Sequence, residues 1–352
     1  MHDRLLADFA AGKKAALARA ISIVENHRPG FDELLGTLHP KIGRARRIGL
    51  TGPPGAGKST ITNAVTRAYR AAGLTVGVVA VDPTSPFTGG ALLGDRIRME
   101  DVALDPGVFI RSLATRGSLG GLSAATRETC DVLDAFGVDR ILIETVGVGQ
   151  SELDVARTAD TTLVVLVPES GDSIQTLKAG VMEIADVFAV NKGDRPGADR
   201  LRNEIEIMLG MRSGATMRNV PAHHGVDLSR ANLVRQVREA ATAEDADVWT
   251  PPVLRTVAAK DEGMDELVAA LDRHFRYLER SGALRERRRA RLRERVIEVV
   301  EDKTRRRLWS DTATNAWLEE RLPALEAGQA TPFAIADALL ARSADLLTRT
   351  ST

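Results

Sequence analysis

A single cysteine, Cys130, stands in 352 residues. That excludes an intramolecular disulfide and a thiolate cluster holding a metal, and it suits a reducing cytosol. Net charge is also missing: 48 Lys and Arg face 48 Asp and Glu. No overall field gathers nucleic acid or an anionic membrane, so neither is expected as a partner. Long apolar runs are absent as well, and none approaches the roughly 18 residues of a membrane span. The N-terminus, MHDRLLADFAAGKK, has charges scattered among its apolar residues and lacks the core of a signal peptide. The expectation is a soluble, cytoplasmic protein whose 43% apolar residues fill a sizeable core.

What is present begins with a helical lead-in. Ala16, Leu17, Ala20, Ile21 and Val24 recur at helical spacing until Pro29-Gly30. Short β-rich runs then alternate with helical patterns. The strand candidates are Arg47 to Thr51, Thr75 to Val81, Val108 to Arg111, Arg140 to Glu144, Thr161 to Pro168, Val187 to Asn191 and Val253 to Thr256. Most read apolar throughout, as strands buried on both faces do, so the predicted fold is a three-layer α/β sandwich around a mostly parallel sheet.

After about Arg276 the character changes. Ser281 to Trp309 predicts a helix whose Leu284, Leu292, Val296, Val299 and Val300 form a narrow stripe through arginine and glutamate. Interleaved acids argue for a solvated helix packing along one seam, or along a partner helix, rather than for an RNA-binding tract. A shorter helix from Thr312 stops at Pro323, and another, capped by Thr331 with Pro332 in its first turn, runs to about Leu347. The expected division is 1–42 helical extension, 43–278 nucleotide-binding domain and 279–352 helical arm.

Gly49 to Thr60 reads GLTGPPGAGKST, which fits G-x-x-x-x-G-K-[ST] between a strand and a helix. Its glycines let successive N–H groups face phosphate oxygens, and the helix N-terminus adds partial positive charge. The candidate phosphate-binding residues are Gly52, Pro54, Gly55, Ala56, Gly57, Lys58, Ser59 and Thr60. Lys58 spans the β- and γ-phosphates and Ser59 ligates Mg²⁺ in this reading. Asn191, Lys192 and Asp194 form an NKxD pattern after a predicted strand. A carboxylate there accepts from both N1–H and the exocyclic amine of guanine, a donor pair adenine lacks, which favours GTP over ATP. Ala258, in TVAAK, is placed to complete the base pocket.

Between these anchors, RILIETVGVGQSE ends a strand in Glu144, with Gly147 three residues on. The usual GTPase pattern is DxxG, in which the acid serves the Mg²⁺ shell and the glycine N–H meets the γ-phosphate. Glutamate here reaches further and suits a water-mediated role. Asp82 ends the strand VGVVAV, and Asp95 follows in GGALLGDR. Asp82, Asp95 and Glu144 are the candidate acids around metal and catalytic water. Gln150 receives no role.

GPPGAGKST, VDPTSPFTGGALLGDRIRM, FIRSLATRG, ETVGVGQSE, SGDSIQTLKAG and NKGDRPGAD, in this order, resemble the MeaB/ArgK family of GTPases over roughly Leu17 to Leu271. The resemblance implies a slow GTPase that gates adenosylcobalamin delivery to methylmalonyl-CoA mutase, or a related acyl-CoA mutase, and protects or reactivates it. It implies that Gly171, Asp172, Gln175 and Lys178 couple nucleotide to mutase and that the C-terminal helices form a dimerisation arm, so a homodimer is expected. Ser118, Glu169 and NKGD depart from the commoner histidine, glycine and NKAD. Alternatives are a metallochaperone GTPase for a nickel or zinc enzyme, an ArgK-type kinase linked to basic amino-acid transport, and a basic RNA-binding module on an inert domain. The pair His223-His224 is outside the family pattern, and adjacent loop histidines point apart, which disfavours a metal site.

Overall fold

The computed structural model describes residues 2–82, 99–114, 124–145, 151–168, 180, 182–212, 228–242 and 248–343. The chain divides into two compact units, Met1–Arg285 and Glu286–Thr352.

Among the described residues the first unit has seven strands: β1 Arg46–Thr51, β2 Val76–Asp82, β3 Val108–Ala114, β4 Arg140–Thr145, β5 Thr161–Leu166, β6 Val187–Val190 and β7 Val253–Arg255. They lie in the order β3-β2-β4-β1-β5-β6-β7, and every pairing is parallel. The chain starts in the middle, winds outward through β2 to β3, returns to β4, and then winds the other way. That reversal beside β1 puts a crevice at the carboxyl ends of the strands, where ligands gather in open α/β sheets.

The apolar strands divide their side chains between two helical layers, which is why they read as continuous. Leu163 and Val165 join Ile48, Leu50 and Leu142 in one core with the α4 residues Ile61, Ala64 and Val65 (α4, Lys58–Ala71) and with Leu267, Ala270 and Leu271 of helix Met264–Ser281. Val164 and Leu166, one residue out of step, turn to the other face with Phe188 and Val190 and meet Leu201 and Ile205. On that same side of the central strands, Ile141, Ile143, Val79 and Val81 pack with helix Ala124–Phe136 and with the lead-in helices α2, Lys14–Glu25, and α3, Phe31–Leu38. Burying roughly 1.5–3 kcal/mol of side chain at each such position holds the three layers together.

Two strands end more than one residue from where they were expected to. β3 continues past Arg111 to Ala114, and it accommodates the charge because Arg111 pairs with Glu25 of α2. β5 stops at Leu166, short of Pro168, which lacks the N–H a continued ladder needs. At the opposite end of the sheet, buried His274 bridges Thr161 (Oγ1 to Nδ1, 2.8 Å) and Asp186 (3.2 Å), pinning the last helix of this unit beneath β5 and β6.

In the C-terminal region, helix Met264–Ser281 ends at Gly282, whose φ of 79° is the left-handed stop that glycine supplies. Helix Ala283–Ser310 follows, then Thr312–Glu319, Leu322–Glu326 and Pro332–Arg342. Pro323 opens the third of these instead of ending the second: in a first turn its missing N–H costs nothing. Thr331 caps the last helix, its Oγ1 accepting from Ala334 N at 3.2 Å. Of the predicted stripe, Leu292, Val296 and Val300 stand exposed at 51, 63 and 57%, whereas Leu284 and Val299 are half-buried. Among the described residues no helix is long and apolar enough to cross a membrane.

Candidate nucleotide site

The phosphate loop runs from the end of β1 into α4, and Gly52 and Gly57 are required there by contact as well as by torsion. Gly52 has φ 138°, and a Cβ there would lie 2.0 Å from the carbonyl oxygen of Val165. Gly57 has φ 88° and precedes α4 with no side chain to cap it, leaving the first-turn N–H groups to an external anion. Pro54, Gly55 and Thr60 are exposed, whereas Ala56, Lys58 and Ser59 are buried. Lys58 folds back over the loop, its Nζ donating to the carbonyls of Gly52 at 2.8 Å and Pro53 at 3.0 Å.

Register carries Glu144 to the same place. It pairs with Leu50 of β1 and Ala80 of β2, so its side chain comes out at the crevice beside α4. Ser59 Oγ donates to Glu144 Oε1 at 2.5 Å, and Thr62 Oγ1 lies 3.1 Å from Oε2. Hydroxyl and carboxylate are hard oxygen donors of the type Mg²⁺ takes. A serine that gives its only hydrogen to Glu144 keeps its lone pairs free for a cation. Asp82 closes β2, its backbone registered against Ala114. Asp95, Gly147, the segment with Gly171, Asp172, Gln175 and Lys178, and the pair His223-His224 lie outside the described residues.

The base-reading loop leaves the carboxyl end of β6. Asn191 is buried, and its side chain does not face solvent at all: Nδ2 donates to the carbonyl of Ala56 at 2.9 Å, while Oδ1 accepts from Ala258 N at 3.1 Å and Thr256 Oγ1 at 3.3 Å. The amide thus joins three loops that follow β1, β6 and β7. Lys192 takes the left-handed conformation, φ 54°, and turns the chain so that Asp194 emerges exposed. Lys260 Nζ meets Asp194 Oδ2 at 3.0 Å. That hydrogen bond holds the Asp194 carboxyl below the usual carboxylate range and lifts the Lys260 ammonium above its own. Next to it, Arg67 of α4 pairs with Asp261, so the loop after β7 is fastened to the phosphate-binding helix.

The described phosphate, metal and base candidates therefore meet at one edge of the sheet. Three contributors were not anticipated from the sequence: Thr62, Thr256 and Lys260. Lys260 had a signal, since it ends the TVAAK run already singled out for Ala258.

Comparison with known proteins follows the same outline. The family model described as methylmalonyl Co-A mutase-associated GTPase MeaB matches residues 17–313. A Pyrococcus abyssi protein whose GTPase title is provisional is 47% identical over 300 residues, 85% of this chain and 84% of that one. The mitochondrial methylmalonic aciduria type A homolog of Mus musculus is 31% identical over 356 residues, 96% of this chain and 78% of that one. A solved structure titled LAO/AO transport system kinase superposes with a TM-score of 0.63 at 26% identity, covering 99% of this chain and 97% of that one.

Proposed function

Since the chain belongs to the MeaB family of methylmalonyl-CoA mutase-associated GTPases, we propose that it is a Mg²⁺-dependent GTP hydrolase whose nucleotide state gates adenosylcobalamin loading into an acyl-CoA mutase. The observation that carries the reading is the convergence of Lys58, Ser59 and Glu144 with Asn191 at the carboxyl edge of the sheet. Lys58, held over the loop by two carbonyls, exchanges them for phosphate oxygens of GTP. The N–H groups of Gly55 to Thr60 surround the β-phosphate. Asp194 reads guanine, and Asn191 keeps its loop against the phosphate loop.

Ser59 and Glu144 would hold Mg²⁺, with Asp82 and Asp95 contributing carboxylates. Bound there, the cation neutralises charge on the transferring phosphate. Glu144 orients the shell through its longer side chain, and the Gly147 N–H takes a γ-phosphate oxygen. The segment of Gly171, Asp172, Gln175 and Lys178 relays the nucleotide state to the mutase, which it also protects or reactivates. The exposed stripe of helix Ala283–Ser310 supports a homodimer through the arm, and the single, buried Cys130 suits a cytoplasmic setting.

The test is GTP turnover by the purified protein, alone and with methylmalonyl-, isobutyryl- and ethylmalonyl-CoA mutases. Stimulation by one of them is expected and would identify the client. Turnover that ignores all three would remove the mutase from the reading and leave the hydrolase.

A further inference from the structure

Thr62 belongs to no nucleotide-binding pattern, yet its hydroxyl lies against the acid assigned to metal and water. It follows Ser59 by three residues on α4, so both hydroxyls fall on one helix face, the face turned to the end of β4. Each oxygen of the Glu144 carboxylate then has its own hydroxyl: Ser59 on Oε1 at 2.5 Å and Thr62 on Oε2 at 3.1 Å.

Thr62 Oγ1 is also 3.0 Å from the Lys58 carbonyl, and a hydroxyl has one hydrogen to give. The Lys58 carbonyl is the ordinary i−4 acceptor of the helix ladder. An ionised carboxylate is the stronger acceptor, by roughly a factor of two over a neutral one. The hydrogen therefore goes to Glu144.

One bond fixes one oxygen and leaves the carboxylate free to swivel about it. A second bond fixes its plane. This matters more for glutamate than for the aspartate of the usual DxxG pattern, because the extra methylene adds a torsion that must be stopped. Ser59 cannot supply both restraints, since its one hydrogen is already given to Oε1. Thr62 is fully buried, and its hydroxyl lies between the Lys58 carbonyl and Glu144.

We propose that Thr62 is a positioning residue that locks the plane of the Glu144 carboxylate and thereby sets both the affinity for Mg²⁺ and the rate of hydrolysis. The inference rests on the reading of Glu144 given above, and the experiment separates the two.

The full chain is compared as wild type, Thr62→Val, Thr62→Ala, Thr62→Ser, Glu144→Gln and Thr62→Val/Glu144→Gln. Two quantities are read: the Mg²⁺ concentration that half-maximally tightens binding of a fluorescent GDP, and kcat and KM for GTP. Outer partners of metal ligands are typically worth about 10-fold or more. Thr62→Val is expected to raise the half-maximal Mg²⁺ concentration about 10-fold and lower kcat similarly, with KM within about twofold. GDP affinity without Mg²⁺ should be unchanged. Thr62→Ala should match it, so that a packing defect peculiar to valine does not decide the result, and Thr62→Ser should restore wild-type values. In the Glu144→Gln background, Thr62→Val should add nothing. Full multiplication of the two effects, or a wild-type Mg²⁺ response in Thr62→Val beside an impaired Glu144→Gln, would overturn the role of Thr62. Loss of Mg²⁺-free GDP affinity that serine fails to restore would make Thr62 a packing residue and overturn it too. A Glu144→Gln protein indistinguishable from wild type would overturn the reading beneath it.

Discussion

Asn191 donates to the carbonyl of Ala56 across 2.9 Å, so the loop proposed to read the base is tied to the loop proposed to hold the phosphates. A buried amide with three partners is satisfied only while all three loops keep their places. Asn191→Ala leaves the Ala56 carbonyl and the Ala258 N–H without it. The expected cost is about 1–3 kcal/mol in denaturant unfolding, together with a loss of GDP affinity of about 100-fold or more, since both halves of the site shift. Weakened binding with unchanged stability would count against the tie.

Gly57 and Gly55 separate torsion from contact. Both have positive φ, 88° and 74°, but a Cβ on Gly57 would lie 2.4 Å from Asn191 Nδ2, whereas one on Gly55 meets nothing within 4 Å. An alanine in either place carries the left-handed penalty of about 1–2 kcal/mol. Only Gly57→Ala should also displace Asn191. Nucleotide titrations should therefore show Gly57→Ala binding GDP at least about 10-fold more weakly than Gly55→Ala, an extra loss of about 1.4 kcal/mol. Equal losses would mean that torsion alone makes these residues glycine.

The legible parts of this chain were those whose meaning is local. A glycine pattern between a strand and a helix, and NKxD after an apolar strand, each name their chemistry within a dozen residues, and apolar runs of five or six announce a sheet covered on both faces. Thr62, Thr256 and Lys260 were not legible because their partners lie 82, 65 and 66 residues away, and only the strand order brings them near. The expected strand stopped at Arg111, and nothing nearby in sequence reveals Glu25 of α2, which pairs with that arginine. Pro323 was read as a stop where it serves as a start, an ambiguity inherent in a residue that both ends and opens helices.

The Asp194–Lys260 pair makes pH a test of the proposal that Asp194 reads guanine. The Lys260 hydrogen bond depresses the Asp194 carboxyl and raises the Lys260 ammonium. A depressed acid contributes above its unfolded value and loses that contribution as pH falls through the folded one. A raised base contributes below its unfolded value and loses it as pH rises through the folded one. The pair is therefore complete from about pH 5 to about pH 9, and the preference for GDP over ADP, in which the titration of the phosphates cancels, should be flat across that range. Lys260→Met should move the acid limb upward, toward an ordinary carboxylate, and lessen the salt dependence, because both groups are exposed and screened. A midpoint between pH 6 and 8 in that preference in the unaltered protein would remove Asp194 from base reading. Asp194→Asn should weaken guanine binding and favour xanthine, whose ring presents an acceptor where guanine presents a donor.

Leu292, Val296 and Val300 recur every four residues on helix Ala283–Ser310 and are more than half exposed in the single chain. Three aliphatic side chains in a row between arginines form a stripe narrow enough for one partner helix, and a second copy of the arm offers the same stripe in return. Each valine buried in such a seam contributes about 1.5–3 kcal/mol, twice over in a two-fold pair, whereas a carboxylate in its place must be desolvated. The unaltered protein is expected to sediment as a dimer, and Val296→Glu/Val300→Glu as a monomer at the same concentration. Its GDP affinity should stay within about twofold, since both residues belong to the unit beyond Arg285. A dimer that survives the double substitution would have to use another surface.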